Sequence, residues 1–262
     1  MKIYDVAFLG MGASALATAK LKYKGTSISL IGIDKNYHSK RNNFFAFWLT
    51  DWMKDFDSLA QKKWFCWNFY LTNNHIKHET KDLPYCTIRY QDWKNYCLKG
   101  LENLSIKEFN VQSITNLKKY YEIKLENGEE IFAKKIYDSR TPKLENEKVK
   151  QHFFGYLIET KQMINSNSVT LMDFRVEQKM GLHFMYCLPI DENRMLVEST
   201  VFSSEIQEDA WYQKQILEYI ETKLNLSEYK IVDEEKGALP MYDIENKSCL
   251  LYTSPSPRDS GK

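Results

Sequence analysis

The sequence predicts an α/β fold in two parts, a domain opening with a β-α-β unit and an antiparallel sheet domain. Three observations carry that prediction. A glycine-bearing turn joins an apolar run at residues 4–9 to helix formers at 16–21, and a second apolar run at 27–33 follows. An alternating segment, Tyr121 to Leu125, meets Asn127-Gly128 and resumes at Glu130, the signature of a tight hairpin. Beyond residue 150, four strand candidates (153–159, 169–176, 182–189 and 195–202) fall within fifty residues and leave no room for crossover helices, which requires antiparallel pairing.

The remaining elements follow in order. Residues 44–70 form an aromatic-rich region with Trp48, Trp52, Trp64 and Trp67, in a chain that is 14% aromatic. A strand-like Thr87-Ile88-Arg89-Tyr90 gives way to a helix carrying Trp93, Tyr96, Cys97 and Leu101 at helical spacing. Ile136-Tyr137-Asp138 reads as a strand returning to the first sheet. A helix is expected over about 205–224, with Ser204 and Gln207 as a capping box and a stripe of Ile206, Ala210, Ile216, Leu217 and Ile220.

Composition narrows the function. With 262 residues, 43% hydrophobic and 27% charged, the chain must stand on a hydrophobic core. Its 36 Lys+Arg against 35 Asp+Glu argue against a polyanionic partner, so no nucleic acid is expected. No apolar stretch approaches the roughly 18 to 20 residues that span a bilayer. The N-terminus lacks a signal-peptide pattern, which predicts a cytoplasmic address. Five cysteines without C-x-x-C spacing are expected to be reduced thiols.

Gly10-x-Gly12-x-x-Ala15 sits between strand and helix, and Asp34 closes the next strand 24 residues after Gly10. This is the Rossmann-like dinucleotide fingerprint with alanine at its third position. Gly10 allows the tight turn, Gly12 removes the Cβ that would block a pyrophosphate, and Ala15 lets helix and strand pack closely. The helix N-terminus faces the phosphates with unpaired N–H groups, and Asp34 can accept hydrogen bonds from a ribose diol. The second strand leads into an aromatic insertion and a meander rather than further regular β-α units, and a late strand ends in Tyr137-Asp138-Ser139-Arg140. That order resembles flavoproteins of the glutathione reductase type, which implies a glutathione-reductase-type FAD-binding Rossmann-like domain with an inserted antiparallel-sheet substrate domain. The expected boundaries are 1–150 for the FAD-binding domain with its insertion at about 44–85, 151–236 for the substrate domain plus helix, and 237–248 for a return toward the FAD domain.

A more specific resemblance rests on Phe45-Ala46-Phe47-Trp48, Asp138-Ser139-Arg140, Gln151-His152-Phe153-Phe154-Gly155, Leu171-Met172-Asp173-Phe174-Arg175, Phe184-Met185-Tyr186-Cys187-Leu188-Pro189, Leu196-Val197-Glu198-Ser199-Thr200 and Gly237-Ala238-Leu239-Pro240. With the fingerprint, these blocks stand in the order of the bacterial lycopene β-cyclases, a carotenoid cyclase family that the chain resembles. The resemblance implies that Gly10, Gly12, Ala13, Ser14, Ala15 and Asp34 hold FAD, that Val111 meets the adenine through its backbone, and that Asp138 and Arg140 close the adenosine side. Thr141 departs from the glycine often found there.

The implied reaction is an acid-catalysed cyclisation of the linear ends of lycopene to β-ionone rings without net redox change. It needs reduced FAD, with NAD(P)H as reductant, and the electron-rich flavin is held to stabilise the cation. The substrate is lycopene or a related linear carotenoid, which implies peripheral contact with the inner face of the membrane. Glu198 matches the first glutamate of the family's acidic motif and is the expected acid. Its strand reads as buried on both faces, and an isolated buried carboxyl stays protonated because desolvation disfavours its charge. A carboxylate pointing to solvent from an edge strand is the plainer alternative.

Other candidates weigh less. Asp173 and Arg175 are expected to form an internal ion pair. His75-x-x-His78 is expected in a polar loop with no neighbouring cysteine or acid pair, so no metal is expected. The aromatic block is either plain core or the lining of an apolar tunnel and membrane-facing surface. A redox flavoenzyme of the monooxygenase or prenyl reductase kind remains a second reading, and a fragment unable to retain FAD a third.

Residues 249–262 resemble no part of the family, and Cys249 to Asp259 look like the translation of a transposase sequencing adapter. The chain is therefore expected to be the first two-thirds or so of a longer enzyme. That tail holds Arg258, Lys262 and Asp259, so without it the charges balance at 34 of each sign and the odd cysteine, Cys249, disappears.

Overall fold

The computed structural model describes residues 2–39 and 43–243, so the expectations for residues 244–262, including the adapter-like tail, lie outside the described residues. In chain order the first elements are β1 (Ile3–Leu9), α1 (Ala13–Tyr23), β2 (Leu30–Ile33), β3 (Phe44–Trp48), a 3-10 helix (Asp51–Leu59), β4 (Lys62–Trp64), β5 (Cys66–Leu71), β6 (Asn74–Glu79) and β7 (Tyr85–Arg89). There follow α2 (Tyr90–Leu98), β8 (Leu104–Lys107), β9 (Val111–Asn116), β10 (Tyr121–Leu125), β11 (Glu130–Asp138) and β12 (Lys150–Thr160). The last are β13 (Val169–Asp173), β14 (Leu182–Pro189), β15 (Arg194–Ser203), α3 (Asp209–Thr222) and β16 (Tyr229–Pro240).

These elements divide into two compact units, whose described parts are residues 2–39 with 90–142, and 43–89 with 143–243. The first unit is a six-stranded sheet in the order β8-β2-β1-β11-β10-β9. Its four strands β8, β2, β1 and β11 run parallel, and β10 and β9 fold back antiparallel. β11 returns beside β1 with Asp138 opposite Leu9, so the ends of both strands meet at the glycine turn. The hairpin between β10 and β11 turns at Gly128, whose φ of +84° is the left-handed conformation that favours glycine. Alternating residues of β1, β2, β10 and β11 (Ala7, Leu9, Ile31, Ile33, Ile123, Ile131, Ala133) bury one continuous core.

The second unit is built on a seven-stranded sheet, β16-β12-β15-β14-β13-β5-β6, accompanied by a three-stranded sheet, β3-β7-β4. The four strands expected from the sequence pair antiparallel in the order β12-β15-β14-β13. The sheet is nonetheless mixed, because β5 from the aromatic segment pairs in parallel with β13. The aromatic segment thus packs with the second unit, although the sequence places it within the first domain. β16 runs along β12 from Tyr229 to Pro240, so these residues complete the second sheet.

Helix α3 starts at Asp209, four residues later than expected, and the Ser204–Gln207 capping box does not form. The Ser204 carbonyl instead accepts a hydrogen bond from the buried Lys150 Nζ at 2.7 Å, and the Gln207 N–H donates to the Tyr212 hydroxyl at 3.2 Å, which keeps this segment out of the helix. α3 lays Tyr212, Ile216, Tyr219 and Ile220 on one face of the large sheet, against Phe154, Tyr156, Ile158, Met185, Val197 and Val201. The opposite face, with Leu157, Tyr186, Leu188 and Leu196, packs against Trp64, Trp67 and Tyr85. Four cysteines, Cys66, Cys86, Cys97 and Cys187, are free thiols.

Candidate functional site

The first candidate site, within the first unit, is the turn between β1 and α1. Gly10 adopts φ +80°, and a Cβ there would lie 3.2 Å from Ser139 Oγ and 3.3 Å from Arg140 N. Glycine is therefore required both by conformation and by the close approach of the chain after β11. Ser139 Oγ donates to the Gly10 carbonyl at 2.9 Å and ties the two loops together. Gly12 occupies the N-cap of α1, where no side chain caps the helix. A Cβ at Gly12 would meet nothing within 4 Å, so the space before the helix is open. The first turn of α1 carries no acidic residue, and the Ala13, Ser14 and Ala15 N–H groups head the helix without an intrahelical acceptor, the arrangement that binds anions. Ala15 is buried beneath it.

Asp34 follows β2 on the same edge of the sheet. Its Oδ2 accepts the Met11 N–H at 2.9 Å and its Oδ1 the Asn36 N–H at 2.9 Å. A carboxylate has further lone pairs, so these bonds aim it at the turn while leaving it able to accept from a ribose hydroxyl. Asp138 ends β11 and holds Arg140 in a two-pronged ion pair, at 2.9 Å to Arg140 Nε and 2.6 Å to Arg140 Nη2. Val111 opens β9 opposite Leu125 and is half-buried against the core. The open cradle, the uncapped helix start and the acid at the end of β2 fit the pyrophosphate and ribose of a dinucleotide. Two residues that sequence reasoning missed brace this turn. Tyr90 Oη donates to the Met11 carbonyl at 3.0 Å, and Trp93 Nε1 to the Ala13 carbonyl at 3.2 Å. Their helix is legible in the sequence, but its packing on the turn is a tertiary contact.

A separate candidate site lies on the large sheet of the second unit. Glu198 sits mid-strand in β15, where both faces are buried, and is 8% exposed, so it is not a solvent-facing edge carboxylate. Its Oε1 accepts a hydrogen bond from Thr200 Oγ1 at 2.5 Å. Register aligns Tyr186 of β14, Glu198 of β15, Gly155 of β12 and Glu235 of β16 in one row. Rows two residues away on the same face carry Leu188, Leu196 and Leu157 on one side, and Phe184, Thr200 and Phe153 on the other. Tyr186 and Tyr85 share a hydrogen bond at 2.6 Å between their hydroxyls. The acid thus stands among leucine, phenylalanine and tyrosine side chains, with the Thr200 hydroxyl beside it and Glu235 in its own row.

Several sequence candidates resolve as structural. Asp173 is fully buried and pairs with Arg175 at 2.6 Å, and it also accepts from Tyr219 Oη at 2.7 Å. Burial pushes its carboxyl upward, but the Arg175 and Tyr219 hydrogen bonds outweigh this and hold it below the usual range. His75 and His78 lie on strand β6 rather than in a loop, and their odd spacing puts them on opposite faces. Among the described residues no group of three or more His, Cys, Asp or Glu is placed to hold a metal. Trp64, Trp67 and Tyr85 of the aromatic segment are core, whereas Trp48, Trp52 and Phe65 are exposed.

A parallel sheet with this glycine turn, together with a large sheet backed by a helix, defines the glutathione-reductase-type FAD-binding fold. Solved structures show the same fold. A geranylgeranyl bacteriochlorophyll reductase-like protein from Thermoplasma acidophilum superposes with TM-score 0.68 at 11% identity, covering 92% of this chain and 67% of that one. The halogenase PltM gives 0.64 at 11% identity, over 90% of this chain and 60% of that one. The flavin-dependent brominase Bmp2 gives 0.58 at 14%, over 90% and 67%. The chain thus spans 60–67% of the length of these structures. Comparison with curated protein sequences gives no significant match. The chain belongs to the lycopene cyclase family, whose model, described as Lycopene cyclase protein, matches residues 5–250.

Proposed function

We propose that this chain is the greater part of a lycopene β-cyclase, with Glu198 as the acid that starts ring closure. The observation that carries the proposal is a buried glutamate, held by Thr200, beside leucine, phenylalanine and tyrosine on its sheet face, in a chain of the lycopene cyclase family. Glu198 donates its proton to the terminal double bond of a linear carotenoid, and the adjoining double bond attacks the resulting cation to form the ring. Loss of a proton from a ring carbon then leaves the β-ionone double bond, so protons and electrons balance with no net oxidation. The apolar surround excludes water, which would otherwise trap the cation as an alcohol.

FAD would be held by the α1 N-terminus through Gly10, Gly12, Ala13, Ser14 and Ala15, with Asp34 for the ribose, the Val111 backbone for the adenine, and Asp138 with Arg140 for the adenosine side. When bound and reduced by NAD(P)H, it supplies electron density that stabilises positive charge. The substrate dissolves in lipid, so the enzyme works peripherally at the inner membrane face. Exposed Trp52, at 68%, and the exposed Trp48 and Phe65 suit that contact. No helix among the described residues is long and apolar enough to cross a membrane.

The test is anaerobic incubation of the chain with reduced FAD and lycopene in liposomes. Ring formation without flavin reoxidation, lost in Glu198→Gln while FAD stays bound, is expected. Consumption of hydride with saturation of a double bond would instead identify a prenyl reductase, and normal turnover in the Gln variant would remove Glu198 from the role of acid.

A further inference from the structure

Glu198 does not stand alone on its face. Glu235 lies on β16, and both glutamates are in register with the same residue of the strand between them, Gly155. A Cβ on Gly155 would sit 3.3 Å from Glu198 Cβ and 3.5 Å from Glu198 Cγ, so the Glu198 side chain leans over the glycine toward β16. Two strand spacings, about 10 Å between Cα atoms, separate the two residues, and two glutamate side chains converging over a residue without a side chain span that gap directly or through one water. Any larger residue at 155 would fill it.

Glu235 itself is built to stay uncharged. Its neighbours Glu234 and Lys236 are exposed, whereas Glu235 is half-buried on the face that carries Glu198. The cations of its strand are engaged elsewhere, Lys236 with Asp209 and Lys230 with Glu159. Burial, then Glu198, then Asp233 push its carboxyl up to about 8. The titratable groups sharing that face are Asp233 on β16, Glu198 on β15 and Tyr186 on β14, with Tyr85 of β7 bonded to Tyr186. Glu159 and Arg194 lie at its rim, where they pair with Lys230 and Asp191. No cation among the described residues offsets Glu235.

We propose that Glu235 is the proton partner of Glu198, and that the two carboxyls hold one dissociable proton between them across Gly155. The inference rests on the cyclase reading for its purpose. When Glu198 gives its proton to the alkene, the pair is left with two carboxylates on one apolar face, and the proton released from the closing ring returns to it. Glu235 acts through Glu198 and is a positioning residue for that proton. Two such groups titrate as a unit, so between its two ionisations the pair carries one proton that either member can present.

Carbon-13 NMR of the full chain labelled at the glutamate carboxyl carbon tests the pair without any carotenoid. One carboxyl is expected to titrate near pH 8, to vanish in Glu235→Gln, to persist in Glu235→Asp, and to fall by about one pH unit or more in Glu198→Gln because a like charge is removed. Glu235 titrating in the ordinary carboxyl range, or unmoved by Glu198→Gln, would overturn the proposal. In the ring-formation assay the alkaline limb of the pH profile should move to lower pH in Glu235→Gln and recover in Glu235→Asp. Ring formation that depends on Glu198 but shows an unmoved profile in Glu235→Gln would sink the partner role while leaving the cyclase reading intact. If the wild-type chain forms no ring, the cyclase reading falls and the NMR titration alone decides the pair.

Discussion

Replacing Asp173 by asparagine removes one charge from a fully buried position while keeping the shape of the side chain. In the native fold its two oxygens accept the Arg175 N–H at 3.0 Å, Arg175 Nε at 2.9 Å, Arg175 Nη2 at 2.6 Å and Tyr219 Oη at 2.7 Å. The asparagine amide retains one acceptor oxygen and turns an N–H₂ toward donors, so at least one of these bonds becomes a donor–donor clash. The Arg175 guanidinium also loses its counter-ion, while the Tyr70 ring stays 4.1 Å from its central carbon. Breaking a buried ion pair from one side costs roughly 3–5 kcal/mol. Arg175 is about a third exposed and regains some water, which places the expectation at the lower end, about 3 kcal/mol. At roughly 2–4 °C per kcal/mol for a domain of 150–250 residues, thermal unfolding should fall by about 10 °C. Urea unfolding followed by circular dichroism measures the loss, and Tyr219→Phe should cost about 1–2 kcal/mol by the same assay. A change under 1 kcal/mol in Asp173→Asn, with an unaltered denaturant slope, would refute the reading of this pair as a strut joining α3 to the sheet.

Gly10→Ala forces a left-handed residue and brings a methyl to 3.2 Å from Ser139 Oγ, so a loss of about 1–3 kcal/mol is expected in urea unfolding. Gly12→Ala meets nothing within 4 Å and should change stability by less than about 1 kcal/mol, yet weaken FAD retention measured by flavin fluorescence; equal effects of the two variants on folding would contradict this division. His152 is fully buried between Tyr212 Oη and Ser203 Oγ, and burial, then Lys150, push it down to about 4. The unfolded chain then binds the proton more readily, so stability should be intact above pH 6.5 and fall toward pH 4 by up to about 1.4 kcal/mol per pH unit. Unfolding series at several pH values check this, and a His152→Gln variant with an unchanged slope would count against it.

Much of the first unit is legible in the sequence because its signals are local. A glycine turn needing positive φ, an Asn-Gly hairpin and apolar runs ending in acids each declare their conformation within a few residues. The strands of the second sheet are legible for the same reason of period. What sequence reading misplaces is partnership. Residues 66–71 read as an aromatic run, and nothing local says that they pair in parallel with β13, a hundred residues away. Ser204 and Gln207 have the spacing of a capping box, but a buried lysine and a tyrosine hydroxyl compete for the same backbone and win. Glu235 lies in a strand of mixed charge whose period-2 alternation gives no hint that one carboxyl stands in register with a glycine of the next strand.

By itself, then, the sequence determined the fold class, the nucleotide turn with Gly10, Gly12 and Asp34, and the strand that carries Glu198, since these depend on backbone conformation and side-chain period. Only the tertiary structure decided that Glu198 is enclosed, that Asp173 is a strut and that Glu235 shares a face with Glu198. Those properties depend on desolvation and on distances between strands far apart in the chain, and both are fixed only when the sheet registers are.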